Sequence, residues 1–312
     1  MAESIKDKVA IVGMGCTRFG ERWDKSATDL IVDAAYEAYE DAGIDAKDIQ
    51  AAWVGNFYDF SGVAGLGASV PLKLQYKPVT RVENMCATGA DAFRNACYAV
   101  AARAYDIVLA VGVEKIKDQG LSGLGFSTPA GTGVAPTATA PGWFAMMATK
   151  YFARYGLSPQ EGKTMLAKIA VKNHHNSSLC PKAHFQREIT IEQALNAPIV
   201  AWPLGLFDCC GVSDGSAAAI IVRAEYAKKF RPDPVYVKAL QICVGPGEGM
   251  MRTDYDYTHV EETYRAGLAA YAEAGINNPR QEISMAEVHD CFTITEAVIM
   301  EDLQFSPRGR VK

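Results

Sequence analysis

No apolar run in this chain reaches the length of a bilayer-spanning helix, so a helical membrane span is not expected. The N-terminus lacks an apolar signal core and enters a strand pattern at Val9. The final Arg310-Val311-Lys312 is not a peroxisomal address, so the expected location is the cytoplasm. No basic cluster occurs: 31 Lys and Arg are spread among 36 Asp and Glu, for a net charge of −5, and nucleic acid is set aside as a partner. The eight cysteines, at 16, 86, 97, 180, 209, 210, 243 and 291, include no CxxC pair, and the adjacent Cys209 and Cys210 could bridge each other only with strain. A chain of 312 residues has core enough to need no staples, so thiols in a reducing compartment are expected. What remains is a globular composition, 49% hydrophobic and 21% charged, long enough for two domains.

The pattern alternates strands and helices. Lys8–Gly15 is a Val- and Ile-rich strand. Ser26 is a candidate N-cap for a helix over Ala27–Ala42 that Gly43 stops, and Ile49–Phe57 is a second strand. Strand, helix, strand suggests a parallel crossover. Gly13 and Gly15 invite a dinucleotide reading, but Arg18 stands where a third glycine belongs and no acidic residue ends the second strand, so no such loop is expected. Asp106–Gly112 is a further buried strand. Lys117–Gly142, rich in Gly, Ser, Thr, Pro and Ala, is aperiodic and reads as a functional loop excursion. Helices are expected over Trp143–Tyr155 and from Ser158-Pro159 to about Asn173. A strand is expected at Ser216–Arg223. After Pro232 and Pro234, strands at Val235–Val244 and Ser284–Val288 flank a helix over His259–Ala274. Thr293 or Thr295 caps a last helix.

Cys86 anchors the chemistry. It lies in Val82-Glu83-Asn84-Met85-Cys86-Ala87-Thr88-Gly89, between an extended segment and a small-residue helix from Ala87 to about Ala104. Unpaired N–H groups and the helix dipole at such a position favour the nucleophilic thiolate. Small residues at 87–90 leave room above the sulfur, and the competing assignment is a buried structural thiol. His174 and His175 adjoin and cannot share a helix face; they read as loop structure, and no metal site is expected. Cys209-Cys210 reads as packing. Tyr255, Tyr257 and Met250-Met251 either line a substrate pocket or pack.

Asn84-Met85-Cys86-Ala87-Thr88-Gly89 resembles the nucleophile motif of the thiolases in the form used by the sterol-carrier-protein-2 type branch. His289-Asp290-Cys291-Phe292 resembles that branch's second signature. Asn173-His174-His175-Asn176 with Pro181 and Phe185, and Phe207-Asp208-Cys209-Cys210 with Ser213-Asp214-Gly215, resemble segments between them, so the likeness runs through the whole chain. It implies an α/β fold of two similar βαβ-type halves in a layered αβαβα arrangement. Residues 1–230 would form the N-terminal half, with 117–205 as an inserted lobe over coenzyme A and the acyl chain, and 231–312 an incomplete C-terminal half. It implies Cys86 as nucleophile, Cys291 as acid/base and His289 as donor to the enolate oxygen, with coenzyme A as co-substrate and no tightly bound cofactor. The coenzyme-binding residues cannot be named from the sequence.

The chain departs from the family in lacking the Gly-His-Pro segment whose histidine activates the nucleophile. A truncated form is the favoured expectation; a second polypeptide that completes the site, or a weakly catalytic scaffold, are the others. The resemblance further implies a homodimer and a small zinc-ribbon/OB-fold subunit serving bulky or aromatic acyl-CoA. It leaves open a CoA-thioester retro-aldolase and a non-catalytic acyl-CoA-binding subunit.

Overall fold

The computed structural model describes residues 4–58, 64–117, 139–247 and 255–311. The chain opens with β1 (Val9–Cys16), α1 (Ala27–Ala42), β2 (Ala51–Gly55), α2 (Gly65–Ser69), β3 (Val79–Val82), α3 (Thr88–Ala101) and β4 (Ile107–Glu114). Then come α4 (Ala140–Arg154), α5 (Pro159–Ser178), α6 (Ile191–Leu195), β5 (Ile199–Ala201) and β6 (Leu204–Gly205). The last elements are β7 (Gly215–Arg223), β8 (Val235–Tyr236), α7 (Glu261–Ala274), α8 (Pro279–Glu282) and α9 (Thr293–Asp302). They divide between two compact units. The first holds residues 1–121, 182–184 and 212–240, and the second holds 122–181, 185–211 and 241–312.

The first unit is built on a six-stranded sheet in the order β3-β2-β4-β7-β1-β8. β2 runs parallel to β3 and β4, whereas β4–β7, β7–β1 and β1–β8 are antiparallel. β1 and β2 therefore point the same way, as the crossover pattern implies, but β7 and β4 lie between them. Both faces are covered, because alternate strand residues point to opposite sides. Val12, Val54, Leu109, Val111 and Ile220 meet Leu30, Ile31, Ala34 and Ala38 of α1. Val9, Ala51, Val108 and Ile221 meet Ala96, Cys97 and Val100 of α3. The ends of α1 are local in origin: Ser26 and Asp29 form a capping box, and Gly43 closes the helix at φ 67.

Gly13 and Gly15 serve packing between α1 and β1. A Cβ on Gly13 would lie 2.4 Å from the Ala38 carbonyl oxygen and 2.6 Å from Ala42 Cβ. Gly13→Ala is expected to push α1 off the sheet and destabilise the chain by about 1–3 kcal/mol, read as a lower urea midpoint; an unchanged midpoint would show that α1 yields at no cost.

The second unit packs α4, α5 and α9 around Tyr151, Leu166, Ile169, Ile294 and Val298. α9 is buried along nearly its whole length, whereas the first-turn caps of α4 and α5 are side-chain hydroxyls, Thr139 and Ser158. Thr139 sets the start of α4 at Ala140, three residues before the expected Trp143. Most of the expected Lys117–Gly142 excursion, residues 118–138, lies outside the described residues, as does Met250-Met251.

Several local expectations are corrected. α5 continues to Ser178, so His174 and His175 are helical. The expected strand at Val235–Val244 contracts to β8, with two further bonds at Val237, from its N–H to the Val9 carbonyl and from Asp7 N to its own carbonyl. Ser284–Val288 forms no strand, because it has no ladder partner among the described residues. Neither Thr293 nor Thr295 caps α9: Phe292 occupies the N-cap, and the Thr293 hydroxyl instead donates to Asp208 Oδ1 at 2.8 Å.

Candidate active site

Cys86 sits at the carboxyl edge of the parallel strands. Val82 at the end of β3 is in register with Gly55 of β2, which is in register with Gly112 of β4. The chain then makes a tight 3-10 turn, Met85–Ala87, and enters α3. Met85 has φ 47, a left-handed conformation that is costly for a side chain of its size. The turn is held by its own polar groups. Glu83 Oε1 accepts from Met85 N at 2.5 Å, Thr88 Oγ1 accepts from Asn84 N at 2.9 Å and donates to the Met85 carbonyl, and Ala87 N donates to the Asn84 carbonyl. Glycines let the turn lie close on the sheet: a Cβ on Gly55 would stand 3.0 Å from the Thr88 carbonyl oxygen, and Gly112 lies under Gly89. Cys86 itself is exposed, and a Cβ at Gly89 would meet open space.

The expected thiolate is not what this turn favours. Burial of the sulfur pushes the Cys86 thiol up from its ordinary value, with its own backbone N–H pulling the other way. The residue as a whole is exposed, but the atoms packed around the sulfur disfavour the anion, and the 3-10 turn sets Cys86 ahead of the first turn of α3. A nucleophilic role for this sulfur would therefore require that its proton leave during the reaction.

Two carboxylates buttress the same strand edge. Glu114, at the end of β4, accepts from Asn56 Nδ2 at 3.2 Å and from the backbone N–H of Phe57 and Tyr58, which fixes the segment after β2. Asp214, just before β7, is 0% exposed in its side chain and pairs with the 3% exposed Lys115 at 2.9 Å. Its oxygens also accept from Ile116, Lys117 and Arg22 backbone N–H at 2.8, 3.0 and 3.1 Å. Sequence reasoning missed this pair. The signal was two opposite charges, Lys115 and Asp214, each at the end of an otherwise apolar run. Next to it, His184 Nδ1 meets Ser213 Oγ at 2.7 Å, and burial pushes that imidazole below its ordinary value.

His289 and Cys291 belong to the second unit. They stand beside each other at the entry to α9, His289 exposed and Cys291 half-buried. The segment is pegged by its other members. Asp290 Oδ2 accepts from Asn173 Nδ2 on α5, and Phe292 stacks on Phe144 of α4 with centroids 4.3 Å apart. The Cys291 carbonyl accepts from Cys210 N at 2.9 Å, beside an antiparallel bridge from Cys209 to Phe292. Cys291 Sγ lies 3.6 Å from Thr295 Oγ1, in the first turn of α9.

The remaining candidates make packing and hydrogen-bond contacts. His174 bonds the Arg187 carbonyl at 2.9 Å and packs on Phe207, while His175 meets Glu188 at 2.8 Å. Among the described residues no group of His, Cys, Asp or Glu is arranged to hold a metal, and no helix is long and apolar enough to cross a membrane. Cys209 packs against the second unit's core, and burial pushes its thiol up to about 12. Tyr255 and Tyr257 pack on each other at 4.5 Å, and Tyr257 also meets that core.

Residues 9–225 match the family described as thiolase, N-terminal domain, and residues 248–312 match the thiolase C-terminal domain-like family. The chain is 36% identical to an acetyl-CoA acetyltransferase of Methanothermobacter thermautotrophicus, an alignment that covers 96% of this chain and 78% of that protein. It is 32% identical to the benzoylsuccinyl-CoA thiolase subunit BbsB of Thauera aromatica, over 98% of this chain and 77% of that one. Among solved structures it resembles the Ltp2-ChsH2(DUF35) aldolase, with a TM-score of 0.84 and 26% identity over 98% of this chain and 79% of that chain. The Acat5 thiolase from Ascaris suum in complex with coenzyme A, at 17% identity over 96% of this chain and 85% of that chain, shares the fold with a TM-score of 0.69.

Proposed function

Because this chain belongs to the thiolase family, we propose that it is an acyl-CoA C-acyltransferase that cleaves or forms 3-oxoacyl-CoA through an acyl-cysteine on Cys86. One observation carries the assignment of the nucleophile: an exposed cysteine on a strained, hydroxyl-laced turn at the carboxyl edge of parallel strands. In the cleavage direction Cys86 sulfur attacks the 3-oxo carbon and loses its proton, and the C2–C3 bond breaks. The acyl group stays on sulfur, and the electron pair remains on C2 as the enolate of the shortened CoA thioester. His289 donates to the enolate's thioester oxygen, and Cys291 delivers a proton to C2; the Cys291 thiolate then takes the proton of the coenzyme A thiol, whose sulfur accepts the acyl group as Cys86 leaves and regains from water the proton it had given up to it. Coenzyme A is thus a co-substrate, and the chemistry requires no resident cofactor.

The proposal extends to a bulky or aromatic acyl group, a homodimer, a small zinc-ribbon/OB-fold subunit and a cytoplasmic setting. The thiolase subunit BbsB and the aldolase complex support a partner. A homogeneous single polypeptide on gel filtration that turns over fully without any other chain would remove that part of the proposal.

The test of the acyl-enzyme is intact mass after brief exposure to acetyl-CoA and to a larger acyl-CoA. An acyl adduct is expected on the wild-type chain and none on Cys86→Ala. The likeness to the aldolase complex favours a retro-aldolase as second reading. No adduct with either donor, together with cleavage of a 3-hydroxyacyl-CoA, would replace the thiolase by it. Cys291→Ala is expected to keep the adduct on Cys86 while slowing carbon–carbon cleavage by about 10²–10⁴-fold, the usual worth of a positioned acid/base. Equal loss of adduct and cleavage would deny Cys291 a separate step.

A further inference from the structure

We propose that Asn173 is a positioning residue for the His289–Cys291 segment, an inference that rests on the reading of His289 and Cys291 given above. Asn173 lies on α5, near its C-terminal end. Its side-chain nitrogen donates to Asp290 Oδ2 and, at 2.9 Å, to Glu296 Oε2 on α9. Both neighbours are carboxylates, which only accept, so the amide can present only its NH₂ to them, and both of its protons are used. Glu296 is 3% exposed, and its other oxygen meets Lys172 Nζ at 2.6 Å. Two acidic groups, one just before α9 and one on it, are thus drawn onto a single neutral donor, with one ammonium beside them.

The consequence is geometric. Asp290 stands between His289 and Cys291 in sequence, and Phe292 follows them. Asn173 pegs the first and the Phe144 ring pegs the second, each on a different helix of the same unit. A four-residue segment tied at its second and fourth positions has little freedom left at its first and third. Those are His289 and Cys291, whose assigned roles demand placement to a fraction of an ångström. The backbone bond from Cys210 N to the Cys291 carbonyl restrains the main chain but does not orient Asp290. Asn173 therefore acts on catalysis through Asp290 and is a positioning rather than a catalytic residue.

Asn173→Asp supplies a signature that loss of packing does not. A protonated aspartic acid is close to asparagine in shape and still donates one hydrogen bond; the anion donates none and repels its neighbours. Among the described residues the charged groups facing this position are Asp290 before α9, Glu296 on α9 and Lys172 on α5. The two carboxylates hold the new acid protonated to a higher pH than usual, and Lys172 opposes them only in part. The variant, which keeps one of the two donated bonds when protonated, is expected to retain kcat within severalfold of the wild type near pH 5 and to lose a further factor of about 10–100 by pH 8. KM should stay unchanged and the loss should reverse on re-acidification. Asn173→Ala should show the same loss at every pH.

The experiment measures kcat, KM and the pH profile of wild type and both variants, with thermal melting and the rate of Cys291 alkylation by iodoacetamide alongside. The alkylation rate is expected to rise about tenfold in Asn173→Ala as the segment opens locally. It reads the anchoring even in a wild type that transfers no acyl group, which separates failure of this inference from failure of the thiolase reading. Wild-type kcat and pH profile in both variants would overturn the inference, as would an alkylation rate unchanged in Asn173→Ala. A loss of activity in Asn173→Asp that follows global unfolding would overturn it too. If Asn173→Ala does not fold, the reversible pH profile of Asn173→Asp decides alone.

Discussion

Cys86→Ala is expected to lower thiolytic turnover by on the order of 10³-fold or more, with binding of acyl-CoA little changed. Removing a nucleophile takes away a covalent step that binding groups cannot replace, so the loss falls on kcat. The size of the effect follows from the role and from the turn. Cys86 is exposed, and the turn that carries it holds Met85 in a left-handed backbone. Structural disruption is a weak competing cause: the side chain makes none of the hydrogen bonds that hold the turn, which come from Glu83, Thr88 and the backbone. Comparing kcat and KM for wild type and variant with one 3-oxoacyl-CoA, next to thermal melting, separates the two. Turnover within tenfold of wild type would remove Cys86 from the chemistry.

The second large effect is expected far from any reacting atom. Lys115→Ala would leave the Asp214 carboxylate buried without its cation, and breaking a buried pair in this way costs about 3–5 kcal/mol. The midpoint of thermal unfolding is expected to fall by on the order of 10 °C. Adding Asp214→Asn should restore only part of the loss, because an amide oxygen cannot accept all the backbone N–H bonds now made by Asp214. The pair also predicts an acid limb. Burial alone would raise the pKa of Asp214, but the Lys115 ammonium and the N–H groups of Lys117, Ile116 and Arg22 outweigh it and hold the carboxyl below its ordinary value. The unfolded chain, with a carboxyl near about 3.9, then binds the proton first as pH falls. The pair's contribution is therefore present above about pH 4 and is lost as the pH drops through the folded-state value. Urea unfolding at neutral pH and at several acidic values should show this limb in the wild type and a shallower one in Asp214→Asn. Parallel limbs would place the acid sensitivity elsewhere.

Much of the molecule was legible in the residues because the forces concerned are local. Ser26 and Gly43 bound α1 through a capping box and a left-handed stop, and Ser158-Pro159 starts α5 through the same chemistry. The Cys86 and His289–Cys291 motifs announced the family that residues 9–225 and 248–312 match. Periodicity was less informative for the strands. β4 and β7 are apolar on both faces, so nothing in either tells which strand lies beside it, and β7 inserts between β4 and β1 from a hundred residues away. Ser284–Val288 has no ladder partner among the described residues, and composition alone does not supply one.

The site divides along the same line. The amino-acid order by itself determined which residues the proposal assigns to the chemistry and which turn carries Cys86, since a nucleophile motif is read within a few residues. It did not determine the state of that thiol: the helix-end argument favours the anion, and the atoms packed around the sulfur push the other way. Nor did it show what holds Asp214 or Asp290. The partners Lys115 and Asn173 stand 99 and 117 residues away, and a pairing across such a separation follows from packed neighbours, not from spacing. The chain thus spells out its candidate reactive groups locally, while their protonation and orientation are decided by tertiary structure, because burial and opposing charge are properties of what the fold brings alongside.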